Sequence, residues 1–282
     1  MGMYVERHGN PHAENLVLIH GWGMHGGVWK SVLALLEPYF HLHIVDLPGM
    51  GFSSPLSHQS SDGQPGISAL DAIVEEVASI LPPQANVCGW SFGGQITIRL
   101  ALLYPQLVKK LVLIGSTPKF VNSRFNDQVG VSHTDETAWT HGMDAVIFRQ
   151  FADNVRQDYQ ATLLKFLTLQ CMRSNDAKTT IRLLRESFAL RPAPDADSLQ
   201  QGLEILLGND LRQSVCDIVP PLLVVHGDRD TLAPVAAAHW MASRLPEAEM
   251  LLIPGASHAP FLSHPGVVVD ALHRFLTPEL NS

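Results

Sequence analysis

Short apolar runs recur along the chain at regular intervals. Six of them are rich in Leu, Val and Ile: 16–20, 41–45, 86–89, 111–114, 222–226 and 250–253. Runs of this length that are apolar at almost every position are typical of strands covered on both faces, as in a parallel sheet. The pattern therefore predicts a mostly parallel sheet buried between two layers.

Segments with helical spacing of apolar residues alternate with these runs. They cover residues 28–36, 67–81, 93–104, 235–245 and 267–276. A strand followed by a helix, repeated several times, indicates right-handed βαβ units. The predicted fold class is therefore α/β, a mostly parallel sheet flanked by helices.

The alternation stops after Thr117. Between 121 and 210 the apolar spacing is helical and no strand is evident, and the helical stretches are 145–151, 159–169, 179–190 and 199–207. Because the strand pattern resumes at 222, we predict a helical lid over 121–210, inserted into a core domain made of 1–120 and 211–282. The segment 53–66, rich in Ser, Gln, Pro and Gly, predicts a long polar loop.

Composition narrows the classes of partner. The chain of 282 residues is 46% hydrophobic, which is enough for one large core. Its 19 Lys and Arg against 27 Asp and Glu give a net charge of −8, which argues against nucleic acid or an anionic membrane as a partner. No run approaches the roughly 20 apolar residues that span a bilayer, and residues 1–10 lack a signal-peptide pattern. We expect a soluble, cytoplasmic monomer.

The cysteines and histidines show no metal-binding pattern. Cys88, Cys171 and Cys216 are far apart and form no C-x-x-C pair, which fits free thiols in a reducing cytosol. Neither residue type occurs at a spacing such as H-E-x-x-H, and no G-x-G-x-x-G or Walker motif is present. We therefore expect no metal and no nucleotide cofactor.

The strongest local signal is GWSFG at 89–93, which matches G-x-S-x-G between a predicted strand and a predicted helix. In a nucleophile elbow the serine occupies a strained turn, and glycines on either side avoid collisions. The turn raises the hydroxyl above the sheet, close to a helix N-terminus that favours negative charge. Ser91 is therefore the candidate nucleophile.

A serine nucleophile needs a general base, and the base needs a group that orients it. In this architecture the order along the chain is serine, acid, histidine. Asp230 follows the predicted strand 222–226, and His258 follows the predicted strand 250–253. All three side chains are thus expected at the carboxyl edge of the sheet, in the required order.

Other residues compete for these roles. Asp228 is an alternative acid, although a turn or surface position suits it better. Among the other histidines, His226 and His239 are expected to pack or cap, and His264 to lead into the last helix. Solvated or structural roles are expected for His8, His12, His58 and His133.

The oxyanion of an acyl-transfer intermediate needs two backbone N–H donors. They are expected at Phe92, directly after the nucleophile, and at Trp22, within the HGWG sequence at 20–23. The alternative for Trp22 is a purely structural core aromatic. The glycine-rich sequence DLPGMGFS at 46–53 is expected to form a tight structural loop without chemistry.

Five segments carry a closer resemblance. They are LVLIHGWGM at 16–24, DLPGMGFS at 46–53, GWSFGG at 89–94, GDRDTLAP at 227–234 and GASHAPFLSHP at 255–265. Together with FLTLQ at 166–170, they resemble the pimeloyl-[acyl-carrier protein] methyl ester carboxylesterase family of biotin synthesis (BioH type), in the α/β-hydrolase superfamily. The resemblance runs across nearly the whole chain.

The resemblance implies roles for individual residues. It implies catalysis by Ser91, His258 and Asp230. It also implies contact with the substrate by the lid segment and by residues around the serine, which are Trp22, Ser91, Phe92, Phe166, Leu167, Thr168, Leu169, Gln170 and His258. Basic lid residues hold the acidic carrier protein in that family; the matching positions here are Lys165, Lys178 and Arg182, with Arg185 nearby. Ala161 stands at one family arginine position, and the loop 53–66 is longer than the family pattern.

The function implied by the resemblance is hydrolysis of the methyl ester of pimeloyl-acyl carrier protein, with release of methanol. The residues by themselves indicate only ester hydrolysis. A general short-chain carboxylesterase, a C–C bond hydrolase or lyase of the same fold, and a ligand-sensing binding protein stay open as alternatives.

Overall fold

The computed structural model describes residues 2–56, 68–123 and 138–277. Its seven-stranded sheet has the order β1-β3-β2-β4-β5-β6-β7. The strands are β1 (Val5–His8), β2 (Glu14–Ile19), β3 (Phe40–Val45), β4 (Ala85–Trp90), β5 (Val108–Ile114), β6 (Leu222–Gly227) and β7 (Glu249–Ile253). All pairs are parallel except β1 with β3. The predicted parallel sheet is confirmed.

The edge strand β1 is the one described strand that the apolar pattern did not predict. Its sequence, VERH, has one apolar residue, and none of its four residues is fully buried. It pairs antiparallel with β3, from Val5 opposite Val45 to His8 opposite Leu42. An edge strand with few buried side chains leaves no apolar run in the sequence.

Helices cover both faces of the sheet. They are α1 (Lys30–Leu36), α2 (Ala69–Ile80), α3 (Phe92–Leu103), α4 (Ala145–Gln157), α5 (Tyr159–Leu169), α6 (Ala177–Phe188), α7 (Ala196–Gly208), α8 (Val235–Arg244), α9 (Pro260–Ser263) and α10 (Pro265–Leu276). Every predicted helix is present, and the short α9 is additional. Residues 57–66 of the predicted polar loop, with His58, and His133 in the predicted lid lie outside the described residues.

Alternating residues of the central strands enter two separate apolar clusters. Val17 and Ile19 of β2 face one cluster, whereas Leu16 and Leu18 face the other, and all four are fully buried. Burial on both faces explains why β2 is apolar throughout. Within the described residues no helix has the length and hydropathy needed to cross a membrane.

Helices α4 to α7 lie between β5 and β6 in the chain, and a buried ion pair ties the segment after α6 to the sheet. The Arg191 guanidinium donates to Asp46 Oδ1 at 2.6 Å and to Glu6 on β1. It also lies over the rings of Tyr4 and Phe52, with its central carbon 5.3 and 5.5 Å from their centroids. The Arg191 side chain is 5% exposed and that of Asp46 is fully buried.

Removing the arginine should leave a buried, uncompensated carboxylate. We expect Arg191→Met to lower the free energy of unfolding by about 3–5 kcal/mol, as for other broken buried pairs. The matched control is Arg182→Met, which breaks an exposed pair with Glu186 and should cost about 1 kcal/mol or less. Urea unfolding monitored by circular dichroism measures both values, and equal losses would contradict this account.

His20, at the carboxyl end of β2, is buried in its neutral form. Its Nδ1 donates to the Gly21 carbonyl at 2.8 Å, and its Nε2 accepts from the Leu47 amide at 2.9 Å. Burial lowers the pKa of His20 to about 4. The folded protein therefore binds a proton here only well below the pH at which the unfolded chain does.

This difference predicts a stability that falls as the pH decreases. The unfolded chain takes up the His20 proton near pH 6.5 and the folded chain near pH 4, so the free energy of unfolding decreases through this window. Between pH 6.5 and 5 the loss that His20 contributes is about 1.6 kcal/mol. Urea unfolding at both pH values should show a steeper dependence for the wild type than for His20→Gln; identical slopes would contradict it.

Candidate active site

Ser91 occupies the turn between β4, which ends at Trp90, and α3, which begins at Phe92. Its backbone has φ 56° and ψ −117°, a region that residues other than glycine rarely adopt. The Ser91 amide donates to the Ile114 carbonyl at 2.9 Å, and Ser116 Oγ donates to the Ser91 carbonyl at 2.8 Å. The strained turn is thus held from both sides.

The glycines on either side of Ser91 are required by close packing. A Cβ at Gly89 would lie 2.4 Å from the Gly93 carbonyl oxygen. A Cβ at Gly93 would lie 2.5 Å from the carbonyl oxygens of both Ile19 and His20. Any side chain at these positions would therefore push α3 away from the sheet and move the serine.

His258 lies in the loop after β7 and reaches Ser91. Its Nε2 is 2.8 Å from Ser91 Oγ. Two hydrogen bonds to the backbone of His258 fix the loop. The Trp90 side chain donates from Nε1 to the His258 carbonyl at 2.8 Å, and the His258 amide donates to the Gln170 carbonyl at 3.2 Å. The imidazole can accept the serine proton without rearrangement.

Asp230, in the loop after β6, holds the other side of the imidazole. Its Oδ2 accepts from His258 Nδ1 at 2.7 Å, and its Oδ1 accepts from the amides of Leu232 and Ala233, both at 2.9 Å. Burial opposes ionisation, but His258, His226 and the Ala233 amide together outweigh it, and the pKa of Asp230 lies below its ordinary value. The carboxylate stays ionised and keeps Nδ1 protonated, leaving Nε2 free to act as a base.

The competing residues lie elsewhere. Asp228 accepts from the Gly255 amide at 2.7 Å and thereby links the loop after β6 to the loop after β7. His8 pairs with glutamates at the sheet edge, and His12 and His239 are exposed. His264 Nδ1 is 2.8 Å from Ser263 Oγ.

Two backbone N–H groups beside Ser91 suit an oxyanion. The loop that carries Trp22 lies against the serine, because a Cβ at Gly21 would be 3.2 Å from Ser91 Cβ. Phe92 is the first residue of α3, so its N–H has no partner inside the helix. In the part of the chain that the structure describes, neither the Trp22 nor the Phe92 amide donates a hydrogen bond. Both are available to a ligand.

Trp22 also joins this site to the inserted helices. Its Nε1 donates to the Leu199 carbonyl on α7 at 2.9 Å, and its indole packs edge-on against Phe166 and Phe151 at 5.2 and 5.5 Å. Sequence reasoning did not single out Phe151 or Leu199. Each is an ordinary apolar helix position, and the sequence carries no signal for contacts across more than 120 residues.

The segment 166–170 divides between the interior and the surface. Phe166 is buried against Trp22, and Leu167 joins an apolar cluster. Gln170 is buried, and its side-chain amide has no partner within the described ranges of the chain. Thr168 and Leu169 are exposed. The structure therefore brings Phe166 and Gln170 to the site, and it turns Thr168 and Leu169 outwards.

The four basic lid residues lie on the surface of two helices. Lys165 on α5 lines a groove between α4 and α5, together with Val146, Ile147 and Leu169. Lys178, Arg182 and Arg185 are exposed on α6, and Arg182 pairs with Glu186 at 2.7 Å. Among the described residues, no group of three or more His, Cys, Asp and Glu side chains is arranged to hold a metal ion.

Comparison with known proteins gives the family. Residues 14–265 match the model of the α/β hydrolase fold family. The pimeloyl-[acyl-carrier protein] methyl ester esterase of Nitrosospira multiformis is 38% identical over 98% of both chains. The enzyme of the same name from Nitrosomonas europaea is 40% identical over 93% of this chain and 95% of its own.

Solved structures agree on the fold. An esterase from Exiguobacterium antarcticum has a TM-score of 0.80 at 18% identity, over 97% of this chain and 95% of its own. A bromoperoxidase from Bacillus anthracis has a TM-score of 0.81 at 20% identity, with the same coverage. From the family match and the relatives at 38–40% identity, the chain belongs to the α/β-hydrolase family, in the branch of the pimeloyl-[acyl-carrier protein] methyl ester esterases.

Proposed function

We propose that this protein hydrolyses the methyl ester of pimeloyl-acyl carrier protein to pimeloyl-acyl carrier protein and methanol, in biotin biosynthesis. The observation that carries the proposal is the continuous hydrogen-bonded chain from Ser91 through His258 to Asp230, with distances of 2.8 and 2.7 Å. The names of the relatives supply the substrate. The geometry by itself supports acyl transfer to water.

In the first half-reaction His258 Nε2 accepts the Ser91 proton as Oγ attacks the ester carbonyl carbon. The developing oxyanion accepts hydrogen bonds from the Trp22 and Phe92 amides, whose preorganisation stabilises the transition state. His258 then donates the proton to the methoxide leaving group. Methanol departs and the pimeloyl group stays on Ser91 as an ester.

In the second half-reaction water takes the place of methanol. His258 accepts a proton from the water as its oxygen attacks the acyl-enzyme carbonyl, and the same two amides hold the oxyanion. The proton returns to Ser91 Oγ as the C–O bond breaks. Asp230 stays ionised throughout and stabilises the imidazolium at each step.

The inserted helices supply the rest of the substrate site in this proposal. Residues 121–210, of which 124–137 lie outside the described residues, form a lid over the core made of 1–120 and 211–282, and the segment 166–170 contacts the substrate. The burial of Phe166 against Trp22 and the unpartnered amide of Gln170 support this assignment. For the outward-facing Thr168 and Leu169, contact with the carrier or its linker fits better than contact with the acyl chain.

The carrier protein binds the basic surface of the lid in this proposal. Lys165, Lys178, Arg182 and Arg185 offer positive charge on a chain whose net charge is −8. An acidic carrier protein complements such a local patch, whereas nucleic acid meets repulsion from the rest of the surface. We propose further that the enzyme acts in the cytoplasm as a monomer.

Removal of the nucleophile tests the reaction. We expect Ser91→Ala to lower kcat by about 10⁶, as deletion of a triad nucleophile does elsewhere, with the fold intact. Mass spectrometry of the carrier protein follows loss of the methyl group, and p-nitrophenyl acetate hydrolysis reports on small esters. Ser243→Ala, at an exposed serine on α8, is the control and should keep the full rate.

The two substrates separate the proposed activity from its nearest alternative. Preference for the carrier-bound methyl ester, abolished by Ser91→Ala, supports the proposal. Rapid turnover of short free esters alone would instead indicate a general carboxylesterase. An undiminished rate in Ser91→Ala would overturn the assignment of the nucleophile.

Charge reversal on α6 tests the carrier surface. The double variant Lys178→Glu/Arg182→Glu should raise KM for the carrier-bound ester roughly 10-fold, because two attractive charges become repulsive. The kcat for p-nitrophenyl acetate should stay at the wild-type value. The matched control, Lys30→Glu/Arg274→Glu, makes the same change in net charge at exposed positions on α1 and α10. A similar rise in KM for both substrates, or for both double variants, would refute the docking site.

A further inference from the structure

His226, at the carboxyl end of β6, is a fully buried histidine that the proposed reaction does not use. Its Nε2 lies 2.6 Å from the Ala233 carbonyl oxygen and 3.6 Å from Asp230 Oδ2. Among the described residues, its Nδ1 has no hydrogen-bond partner. It thus lies beside Asp230, near the same carboxylate oxygen, Oδ2, that accepts from His258.

The hydrogen bond to Ala233 determines which nitrogen of His226 carries the proton. A carbonyl oxygen can only accept, so Nε2 must be protonated and must donate. Burial lowers the pKa of His226, although the nearby Asp230 carboxylate opposes the shift. Its other nitrogen, Nδ1, therefore carries no proton, and the ring is neutral.

Ala233 links His226 to Asp230, because its carbonyl accepts from His226 and its amide donates to Asp230. The Ala233 amide and the Leu232 amide both donate to Asp230 Oδ1 at 2.9 Å. The direction of these two amides depends on the backbone conformation of the turn 230–233. The hydrogen bond from His226 fixes the Ala233 carbonyl at the end of this turn.

We propose that His226 is a positioning residue for the reaction: its Nε2–H fixes the turn 230–233, and so keeps the Asp230 carboxylate aligned with His258 Nδ1. The inference rests on the proposed function, since it concerns the same triad. It differs from a packing role because it requires a donor at Nε2, and a side chain of similar size without that donor cannot replace it.

Two amide variants separate the donor from the bulk of the ring. In His226→Gln the side-chain nitrogen can reach the position of Nε2 and donate to Ala233, whereas in His226→Asn it reaches only the position of Nδ1. We expect His226→Asn to lower kcat for p-nitrophenyl acetate by about 10- to 100-fold, by analogy with groups that orient metal ligands. KM should stay within about 2-fold, and His226→Gln should recover most of the rate.

A control variant measures what loss of stability alone does. Val224→Ala removes two methyl groups from a fully buried residue two positions earlier on the same strand and face. It should lower the melting temperature and leave kcat unchanged at 25 °C. Proton NMR adds a direct readout, because the downfield signal of the His258 Nδ1–H···Asp230 bond should weaken in His226→Asn and persist in both His226→Gln and Val224→Ala.

A double-mutant cycle tests whether the effect passes through Asp230. In an Asp230→Ala background there is no carboxylate to align, so His226→Asn should change kcat by no more than about 2-fold. A full additional loss in that background would overturn the inference. So would a wild-type kcat in His226→Asn, a loss in His226→Gln equal to that in His226→Asn, or a comparable loss in Val224→Ala.

These outcomes are distinct from failure of the proposed function. If Ser91→Ala keeps its activity, the triad assignment fails whatever the His226 variants do. If Ser91→Ala is inactive and His226→Asn retains the wild-type kcat, only the positioning role fails.

Discussion

The positive φ at Ser91 is the constraint on which the site depends. Such a backbone is unfavourable by about 1–3 kcal/mol and persists only where its surroundings leave no other choice. Here the close contact of α3 with the carboxyl ends of β2 and β4 leaves room only for glycine at Gly89 and Gly93. The Ser91 oxygen is thereby fixed in space, and the loops after β6 and β7 bring Asp230 and His258 to it.

Asp230 illustrates how hydrogen bonds stabilise a buried charge. Asp230 is fully buried, yet its two oxygens accept from two backbone amides and from His258. Ionisation without these donors would be very costly. The nearby His226 is neutral because its Nε2–H donates to a carbonyl oxygen, and the Asp230 carboxylate, at 3.6 Å, lies beyond hydrogen-bond distance. The hydrogen-bond partners of each buried group therefore determine its protonation state.

Helices α4 to α7 are tied to the sheet through contacts that also shape the site. The Trp22 indole donates to α7, the carbonyl of Gln170 accepts from the His258 amide, and Arg191 pairs with Asp46. A shift of these helices would therefore disturb the packing of Trp22 or the position of His258.

The sequence by itself determined the α/β alternation, six of the seven described strands, and the placement of Ser91, Asp230 and His258 at the carboxyl edge of the sheet, because strands buried on both faces and sharp turns leave strong local patterns. It did not reveal β1, whose edge position needs few apolar residues. The contacts of Trp22 with Leu199 and Phe151, and the bond from His226 to Ala233, were decided only by the tertiary structure. Such contacts depend on how loops and helices meet in space. The sequence does not distinguish a histidine that only packs in the core from one that donates a hydrogen bond to a neighbouring turn.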